Sequence, residues 1–287
     1  MTSLLVWFAS DVKTAAGSFV PASVYIASDS RVTWDDGRTS WDRGKKVFAS
    51  STSPEIFGYC GDTRFAALAI SQIIGAINAG YLFHPDDNAQ TKLLKVKQLI
   101  GMAWETFPQE HLVCETSIVH VTREGSNVAS RFWMQEHLLP KSPKSLAMQS
   151  PAAAMAPLGE WSRAWLARGS GGAHVLDSIE VWNRRYSDRH TSRSVFKAFC
   201  EAIDSSTDKF SGGPPQLASL FRIGAGRPHG VIWKNRRYFE GLPTVSQTAK
   251  AGMPWRNNFF EIVDPKTKSL AAGAPRQISQ LDFGGVK

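Results

Sequence analysis

Residues 1–9 read MTSLLVWFA, and residues 22–33 read ASVYIASDSRVT. The runs Thr2–Ala9 and Ala22–Ser28 are rich in β-branched and aromatic residues, which favour strands. A segment that contains Lys, Gly and Ser, Asp11–Ser18, separates them, as in the turn of a hairpin. The sequence therefore predicts that the chain begins with an antiparallel pair of strands.

The second residue carries two reactive groups once Met1 is removed, a step expected before a small residue such as threonine. The hydroxyl of Thr2 can attack a carbonyl carbon, and its α-amine, with an ordinary pKa of about 7.7–8.0, can accept the hydroxyl proton. A buried lysine beside the amine would lower the amine's pKa by like-charge repulsion, and a carboxylate would hold that lysine in place. Lys46 and Asp29 are residues of these two types.

The remaining predicted elements occur in the order strands, two helices, strands, two helices, strands. This segregated order favours an α+β fold with antiparallel sheets and helices packed outside them over a doubly wound parallel sheet. Asp62 precedes the first helix and is its candidate N-cap. The predicted strands are Lys45–Ser50, Glu55–Tyr59, Glu115–Thr122, Asn127–Met134, Gln216–Ile223 and Gly230–Trp233, and a further hairpin is predicted around Asp264–Lys268. The helices carry the apolar stripes Phe65, Ala69, Ile73, Ile77; Leu93, Val96, Ile100, Ala103, Phe107; Leu176, Ile179, Trp182, Tyr186; and Val195, Phe199, Ile203.

Composition limits the classes of protein to which the chain can belong. With 287 residues, 43% of them hydrophobic, the chain can bury a sizeable core. Its three cysteines form no spaced pair and predict reduced thiols instead of a disulfide framework. No zinc motif, secretory signal or run of about 20 apolar residues occurs, so we expect a cytoplasmic protein without a metal site or a membrane span. The net charge of +8 comes from scattered residues, so nucleic-acid binding is not expected.

Five motifs follow Thr2 along the chain. Each alone is a weak signal, because short motifs match by chance. In this order they resemble the proteasome β-subunit and HslV-like family of N-terminal nucleophile (Ntn) hydrolases. The motifs are Ser28-Asp29-Ser30-Arg31-Val32-Thr33, Gly44-Lys45-Lys46-Val47-Phe48, Gly58-Tyr59-Cys60-Gly61-Asp62, Gly169-Ser170-Gly171 and Asp208-Lys209-Phe210-Ser211-Gly212.

The resemblance implies a four-layer αββα sandwich, in which two antiparallel sheets lie between helix pairs. It also implies a threonine endopeptidase that forms an acyl-enzyme on Thr2, with the Gly58 N–H receiving the oxyanion. The substrate would lie extended beside Thr33, and Ile56 and Cys60 would line a pocket for its side chain. The catalytic residues that the resemblance implies are Thr2, Asp29, Lys46, Ser170, Asp208 and Ser211.

The same resemblance implies how the chain is organised. Residues 1–244 would form the hydrolase domain, and residues 245–287 would be a C-terminal extension of it. The segments 11–20 and 136–165 exceed the family's length, and 11–20 is expected to protrude as a loop. Family members form stacked rings, so a homo-oligomeric ring that cleaves polypeptides is expected. No cofactor is expected, and because the chain has no P-loop, any ATP-driven unfolding would come from a separate ATPase partner.

Two other functions remain open at this point. An Ntn amidohydrolase acting on small amides would use the same nucleophile. A catalytically silent, ring-forming subunit would be expected to lack Thr2 or Lys46, and both are present. A Ser/His/Asp site is not favoured, because no histidine accompanies a Gly-x-Ser-x-Gly elbow.

Overall fold

The structure, a computed structural model, describes residues 2–12, 19–108, 114–141, 148–157, 159–185, 190–244 and 252–274. Within these residues the protein is a mixed α/β structure whose strands pair antiparallel except for one parallel pair. The strands are β1 (Leu4–Val12), β2 (Phe19–Ser28), β3 (Val32–Trp34), β4 (Thr39–Trp41), β5 (Val47–Ala49), β6 (Glu55–Cys60), β7 (Thr116–Glu124), β8 (Arg131–Leu139), β9 (Ala154–Met155), β10 (Arg163–Arg168), β11 (Gln216–Phe221), β12 (Arg227–Trp233), β13 (Arg236–Phe239), β14 (Leu242–Pro243) and β15 (Trp255–Asn257). The helices are α1 (Thr63–Asn78), α2 (Ala89–Thr106), α3 (Gly172–Arg185) and α4 (Ser192–Ser205).

The larger sheet contains the N-terminal hairpin. Its strands run in the order β10-β1-β2-β11-β12-β13-β14, and β15 adds to β12 in parallel. In the hairpin Leu4 pairs with Ser28, and pairing continues to Val12 and Phe19. The predicted hairpin is therefore confirmed, but its strands extend into the segment expected to be a loop. Residues 13–18 of that segment lie outside the described residues.

The smaller sheet is a meander in which β5, β6, β7, β8 and β9 lie side by side in chain order. The strand predicted to start at Asn127 is wrong at its beginning, because β8 starts at Arg131. Asn127 has a positive φ of 53°, and residues 127–129 form a single helical turn. The connection from β7 therefore uses residues that alternation alone assigned to the strand. A separate two-stranded sheet pairs β3 with β4.

Helices α1, α2 and α4 begin at side-chain caps. Asp62 accepts a hydrogen bond from the Arg64 N–H and caps α1, as predicted. Thr191 caps α4 through a capping box. The stripes predicted for α1 and α4 are buried, but α3 buries Val175 and leaves Leu176 42% exposed. The predicted stripe on α3 was therefore displaced by one residue at its start, and its last member, residue 186, lies outside the described residues.

Three clusters of buried apolar side chains lie against the sheets. The first joins α3 and α4 to one face of the larger sheet, through residues such as Trp7 and Phe199. The second joins the two sheets, through residues such as Leu4 and Val119. The third joins the smaller sheet to α1 and α2. Because successive side chains of a strand point to opposite faces, β1 contacts the helices with one set of residues and the second sheet with the other.

Several short strands were not predicted from the sequence. β10 begins inside the stretch 136–165, which was expected to exceed the family's length, and it pairs with β1 at the edge of the larger sheet. β15 lies in the extension 245–287, where Trp255 is buried. The turn predicted around Asp264–Lys268 is present, with the Lys268 N–H donating to the Asp264 carbonyl at 2.7 Å. No described helix has the length and apolar content that crossing a membrane requires.

Candidate active site

The N-terminal hairpin brings Thr2, Ser3 and Asp29 to one end of the larger sheet. Thr2 and Ser3 precede β1, and Asp29 follows β2 directly. The Asp29 N–H donates to the Ser3 carbonyl at 3.2 Å, and the Ser3 N–H donates to Asp29 Oδ1 at 3.0 Å. The antiparallel register of β1 and β2 therefore fixes the acidic residue beside the start of the chain.

Lys46 reaches both residues from the start of β5. Its Nζ donates to Thr2 Oγ1 at 2.6 Å and to Asp29 Oδ1 at 3.0 Å. The Lys46 side chain is 1% exposed and that of Asp29 is 0% exposed. Burial lowers the pKa of Lys46, and the neighbouring Asp29 opposes that shift. The structure thus places a buried amino group in contact with the Thr2 hydroxyl.

The Asp29 carboxylate has all its contacts inside the protein. Its Oδ2 accepts hydrogen bonds from the N–H groups of Arg31 and Gly212, each at 3.0 Å. Its Oδ1 accepts from Ser3 and Lys46. Four donors around one buried carboxylate replace the hydrogen bonds to water that it loses on burial. Asp29 can therefore serve as the counter-charge that orients Lys46.

Gln216, the first residue of β11, joins the segments that carry Asp29 and Lys46. Its Nε2 donates to the Gly44 carbonyl at 2.6 Å and to Ser30 Oγ at 2.9 Å. Its Oε1 accepts from the Lys46 N–H at 3.0 Å. Gln216 is 2% exposed. It is a positioning residue that sequence reasoning missed, because an isolated glutamine at the start of a strand carries no signal.

The segment Gly169-Ser170-Gly171 packs against the backbone of Thr2. The Gly171 N–H donates to the Thr2 carbonyl at 3.3 Å. Gly169 has a φ of +85°, and a Cβ there would lie 1.8 Å from the Thr2 carbonyl oxygen. Glycine is required at this position both for its conformation and for the close approach. Ser170 is thereby placed between two residues that touch the start of the chain.

Asp208 and Ser211 lie in the loop between α4 and β11. The Ser170 hydroxyl donates a short hydrogen bond to Asp208 Oδ2. The Ser211 Oγ lies 2.7 Å from the Ser3 Oγ. Asp208 therefore contacts Ser170 as expected, whereas the side chain of Ser211 reaches the residue after Thr2.

Gly58 and Ile56 lie inside β6. Gly58 pairs with Val47 on one side and with Val119 on the other. A Cβ at Gly58 would lie 2.7 Å from Ile26, so the two sheets approach closely at this point. Ile56 is fully buried between the sheets. Packing between the two sheets accounts for the glycine at position 58 and for the apolar side chain at position 56. Neither position supports the role expected of it, which was the oxyanion contact for Gly58 and substrate binding for Ile56.

Two cavities border the site and share Gly61. The first, of about 960 Å³, is lined by Cys60, Gly61, Gly169 and Ser170 among other residues. The second, of about 420 Å³, is lined by Thr33 and the rest of β3 as well as by Gly61. Cys60 lies in the first cavity as expected, and burial raises the pKa of its thiol to about 11, so the thiol is protonated at neutral pH.

No family model and no curated protein matches the sequence. The chain is similar to eukaryotic HslV from Trypanosoma brucei. The TM-score is 0.42 at 14% sequence identity, over 76% of this chain and 99% of that chain. A match this distant assigns no activity to the chain.

The structure brings most of the predicted site residues into one connected group. Thr2, Lys46 and Asp29 are in direct contact. Ser170 and Asp208 form a second contact beside them. Thr33 stands apart on β3, and among the described strands only β4 pairs with β3. The second edge of β3 has no strand partner among the described residues.

Proposed function

We propose that the protein is a threonine endopeptidase of the N-terminal nucleophile type. The observation that carries the proposal is the contact of Lys46 Nζ with the Thr2 hydroxyl, at 2.6 Å, beside the buried Asp29. This places a nucleophile, a cation and its counter-ion at the first residue that remains after Met1 is removed. Thr2 is buried, with 1% of its surface exposed, and removal of Met1 would convert its backbone amide nitrogen into the free amine that the reaction needs.

The proposed reaction proceeds through an ester on Thr2. The free amine of Thr2 takes the proton from Oγ while Oγ attacks the carbonyl carbon of the peptide bond. The tetrahedral intermediate collapses as the amine passes that proton to the leaving nitrogen. Water, deprotonated by the same amine, then hydrolyses the ester and releases the second product. Ser170, oriented by Asp208, would hold the water that connects the amine with Oγ.

Lys46 would act on this cycle through its charge. A cation next to the amine lowers the amine's pKa and so keeps the amine in its basic form near neutral pH. The same cation would stabilise negative charge as it develops on Thr2 Oγ and on the substrate oxygen. Asp29 would keep Lys46 at this place, and Gln216 would fix the backbone at both residues.

We assign the oxyanion contact to Gly61 in place of Gly58. The Gly61 N–H has no hydrogen-bond partner among the described residues, whereas Gly58 lies within the sheet. Gly61 lies between the two cavities, which supports a substrate that crosses the site there. A polypeptide could pair with the open edge of β3 near Thr33 and continue toward Ser170.

The architecture proposed with this function is a four-layer αββα sandwich, formed by residues 1–244, with residues 245–287 as an extension. The three apolar clusters support this order of layers. We further propose a homo-oligomeric ring, because apolar side chains such as Leu68, Tyr81 and Met102 are exposed on α1, on α2 and between them. A separate ATPase could supply unfolded polypeptide. Light scattering on purified protein tests the ring, and a monomer at micromolar concentration would exclude it.

Replacement of the nucleophile tests the proposed activity. Thr2→Ala should lose hydrolysis of fluorogenic peptides by at least about 1,000-fold, because it removes the hydroxyl that forms the ester. The matched control, Thr106→Ala, removes an exposed threonine at the end of α2 and should keep full activity. Intact-mass measurement of the wild type should show loss of Met1. Peptide hydrolysis by Thr2→Ala, or a mature protein that still starts at Met1, would contradict the proposal.

The same preparation separates the alternative functions. An endopeptidase cleaves peptides of several residues, whereas an Ntn amidohydrolase would cleave only small amides from a matched panel. A silent structural subunit would cleave neither while still forming a ring. The open edge of β3 and the two cavities favour an extended peptide over a small amide.

A further inference from the structure

Arg168 is the last residue of β10 and directly precedes the segment Gly169-Ser170-Gly171. It pairs with Leu4 of β1, whose side chain lies between the two sheets. Because directly paired residues of antiparallel strands share a face, the Arg168 side chain also lies on the side of the larger sheet that faces the smaller one. The residue that ends β10 beside the candidate active site can therefore contact the second sheet.

Glu136 of β8 binds Arg168 from the smaller sheet. Arg168 Nε donates to Glu136 Oε1 at 2.7 Å, and Arg168 Nη2 donates to Glu136 Oε2 at 2.8 Å. The Ser117 hydroxyl of β7 donates to the same Oε1 at 2.6 Å. The Glu136 side chain is 8% exposed, whereas that of Arg168 is 43% exposed. Two parallel hydrogen bonds between a guanidinium and a carboxylate fix both their distance and their orientation.

This ion pair lies where β10 has little other support. β10 is at an edge of the larger sheet, and among the described strands it pairs with β1 alone. Backbone hydrogen bonds thus hold the strand from one side only. Beyond Arg168 the chain turns at Gly169, whose φ is +85°, and α3 begins at Gly172. The contact with Glu136 therefore fixes the end of an edge strand at the point where the turn that carries Ser170 begins.

The turn after Arg168 contacts the start of the chain. The Gly171 N–H donates to the Thr2 carbonyl at 3.3 Å, and a Cβ at Gly169 would overlap the oxygen of that carbonyl. Ser170 lies between these two glycines, two residues after Arg168. A displacement of the end of β10 would therefore move Ser170 relative to Thr2.

We propose that Arg168 is a positioning residue for the peptidase reaction, and that its pair with Glu136 holds Ser170 in place beside Thr2. This inference rests on the proposed function, in which Ser170 holds the water between the Thr2 amine and Oγ. Misplacement of a catalytic group by about 1 Å can lower a rate about 100-fold. Arg168 also lines the cavity of about 960 Å³, so direct contact with the substrate is the competing role.

Steady-state kinetics with a fluorogenic peptide separate positioning from substrate binding. Arg168→Ala should lower kcat about 10- to 100-fold and leave KM within about threefold of the wild-type value. Glu136→Gln should also lower kcat, and the double variant should lose less than the product of the two single losses, because both changes break the same pair. Arg168→Lys keeps the charge but loses the planar fork, so its kcat should lie between those of Arg168→Ala and the wild type. It is also the variant to measure if Arg168→Ala does not fold. A higher KM with unchanged kcat, or full activity of both single variants, would overturn the proposal.

Amide hydrogen exchange, followed by mass spectrometry, tests the positioning without relying on hydrolysis. In Arg168→Ala the segment 169–173 should exchange at least about fivefold faster than in the wild type, because its anchor on the second sheet is lost. Exchange in α4 should not change. The matched control, Arg163→Ala, removes an exposed arginine at the other end of β10, five residues and so about 16 Å away, and should alter neither exchange in this segment nor kcat.

The two measurements keep the two proposals apart. A wild-type protein that cleaves no peptide would count against the proposed function. Unchanged exchange of the segment 169–173 in Arg168→Ala would count against the role of Arg168 alone, whatever the activity of the wild type.

Discussion

At the scale of single residues, the candidate site depends on a buried ion pair in which two effects oppose each other. Lys46 and Asp29 both lose their hydration on folding, since neither is more than 1% exposed. Asp29 regains four hydrogen bonds, and Lys46 regains contacts with Asp29 and Thr2. Buried ion pairs of this kind often contribute no more stability than an apolar replacement would. The pair is therefore better explained by chemistry at Thr2 than by stability.

Removal of the cation should destabilise the fold as well as stop the reaction. Lys46→Met leaves the Asp29 carboxylate buried without its charged partner, so we expect a loss of about 3–5 kcal/mol in the free energy of unfolding. Urea denaturation measures this loss. The control Lys45→Met removes a partly exposed neighbour that pairs with Glu240, and it should cost less than about 1 kcal/mol.

A double-mutant cycle tests whether the two residues interact directly. The variant Asp29→Asn/Lys46→Met removes both charges and should lose less stability than the sum of the two single variants. Strictly additive losses would contradict the contact between Lys46 and Asp29. The two single variants and the double variant should all fail to hydrolyse peptides.

Gln216 and Gly169 show how far residue-level prediction extends. Thr2, Asp29 and Lys46 could be selected from the sequence, because their chemistry requires those residue types. Gln216 could not, since its role depends on reaching backbone groups of segments about 170 residues away in the chain. Gly169 belonged to a recognisable motif, but the reason for glycine, a carbonyl oxygen in the space of its Cβ, is visible only in three dimensions.

At the scale of secondary-structure elements, the β3–β4 hairpin is the element best placed to contact a substrate. It pairs with no other described strand, and β3 borders one of the two cavities at the site. Trp34 and Trp41 are 50% and 48% exposed on this hairpin. Trp34 lines the cavity, whereas Trp41 is not among its lining residues. The two tryptophans therefore form a matched pair for testing substrate contact.

Replacement of Trp34 should weaken substrate binding more than replacement of Trp41. For Trp34→Ala we expect KM for a fluorogenic peptide to rise about 3- to 10-fold, because an aromatic contact of about 1 kcal/mol is lost. We expect kcat to change little, since the reacting groups at Thr2 are untouched. Trp41→Ala should leave KM within about twofold of the wild-type value. Equal effects of the two substitutions would argue against a peptide path along β3.

Elements with strong local signals could be predicted, and elements defined by their partners could not. α1 and α4 have side-chain caps and a regular apolar stripe, so their positions follow from nearby residues. β10 and β15 become strands because they pair with β1 and β12, which are distant in the chain. β8 was misplaced at its start because the turn before it contains Asn127 in a left-handed conformation.

At the scale of the whole molecule, stability at low pH depends on buried histidines. His137 lies in the smaller sheet, and burial, with smaller effects from His120 and Lys97, lowers its pKa to about 3. Burial also lowers the pKa of His229 in the larger sheet. Each histidine has an ordinary pKa of about 6.5 when the chain unfolds. Between pH 6.5 and pH 3 the unfolded chain therefore binds more protons than the folded protein does.

This difference predicts a loss of stability as the pH falls below 6.5. From pH 7 to pH 4.5 the free energy of unfolding should decrease by about 2 to 3 kcal/mol for His137 alone. Denaturant titration at the two pH values measures the change. His137→Gln should reduce the difference by that amount, whereas His84→Gln, at a side chain 68% exposed, should leave it unchanged. An unchanged difference in His137→Gln would contradict the assignment.

By itself, the sequence determined the main strands of the two sheets, the approximate positions of the four described helices and the residue types at positions 2, 29 and 46. These features depend on residue type and local spacing, which are properties of neighbouring residues. The tertiary structure alone decided that Lys46 touches the Thr2 hydroxyl and that Gly58 lies within a sheet. Such contacts join segments far apart in the chain, and they are fixed by strand register and core packing, which no local pattern specifies.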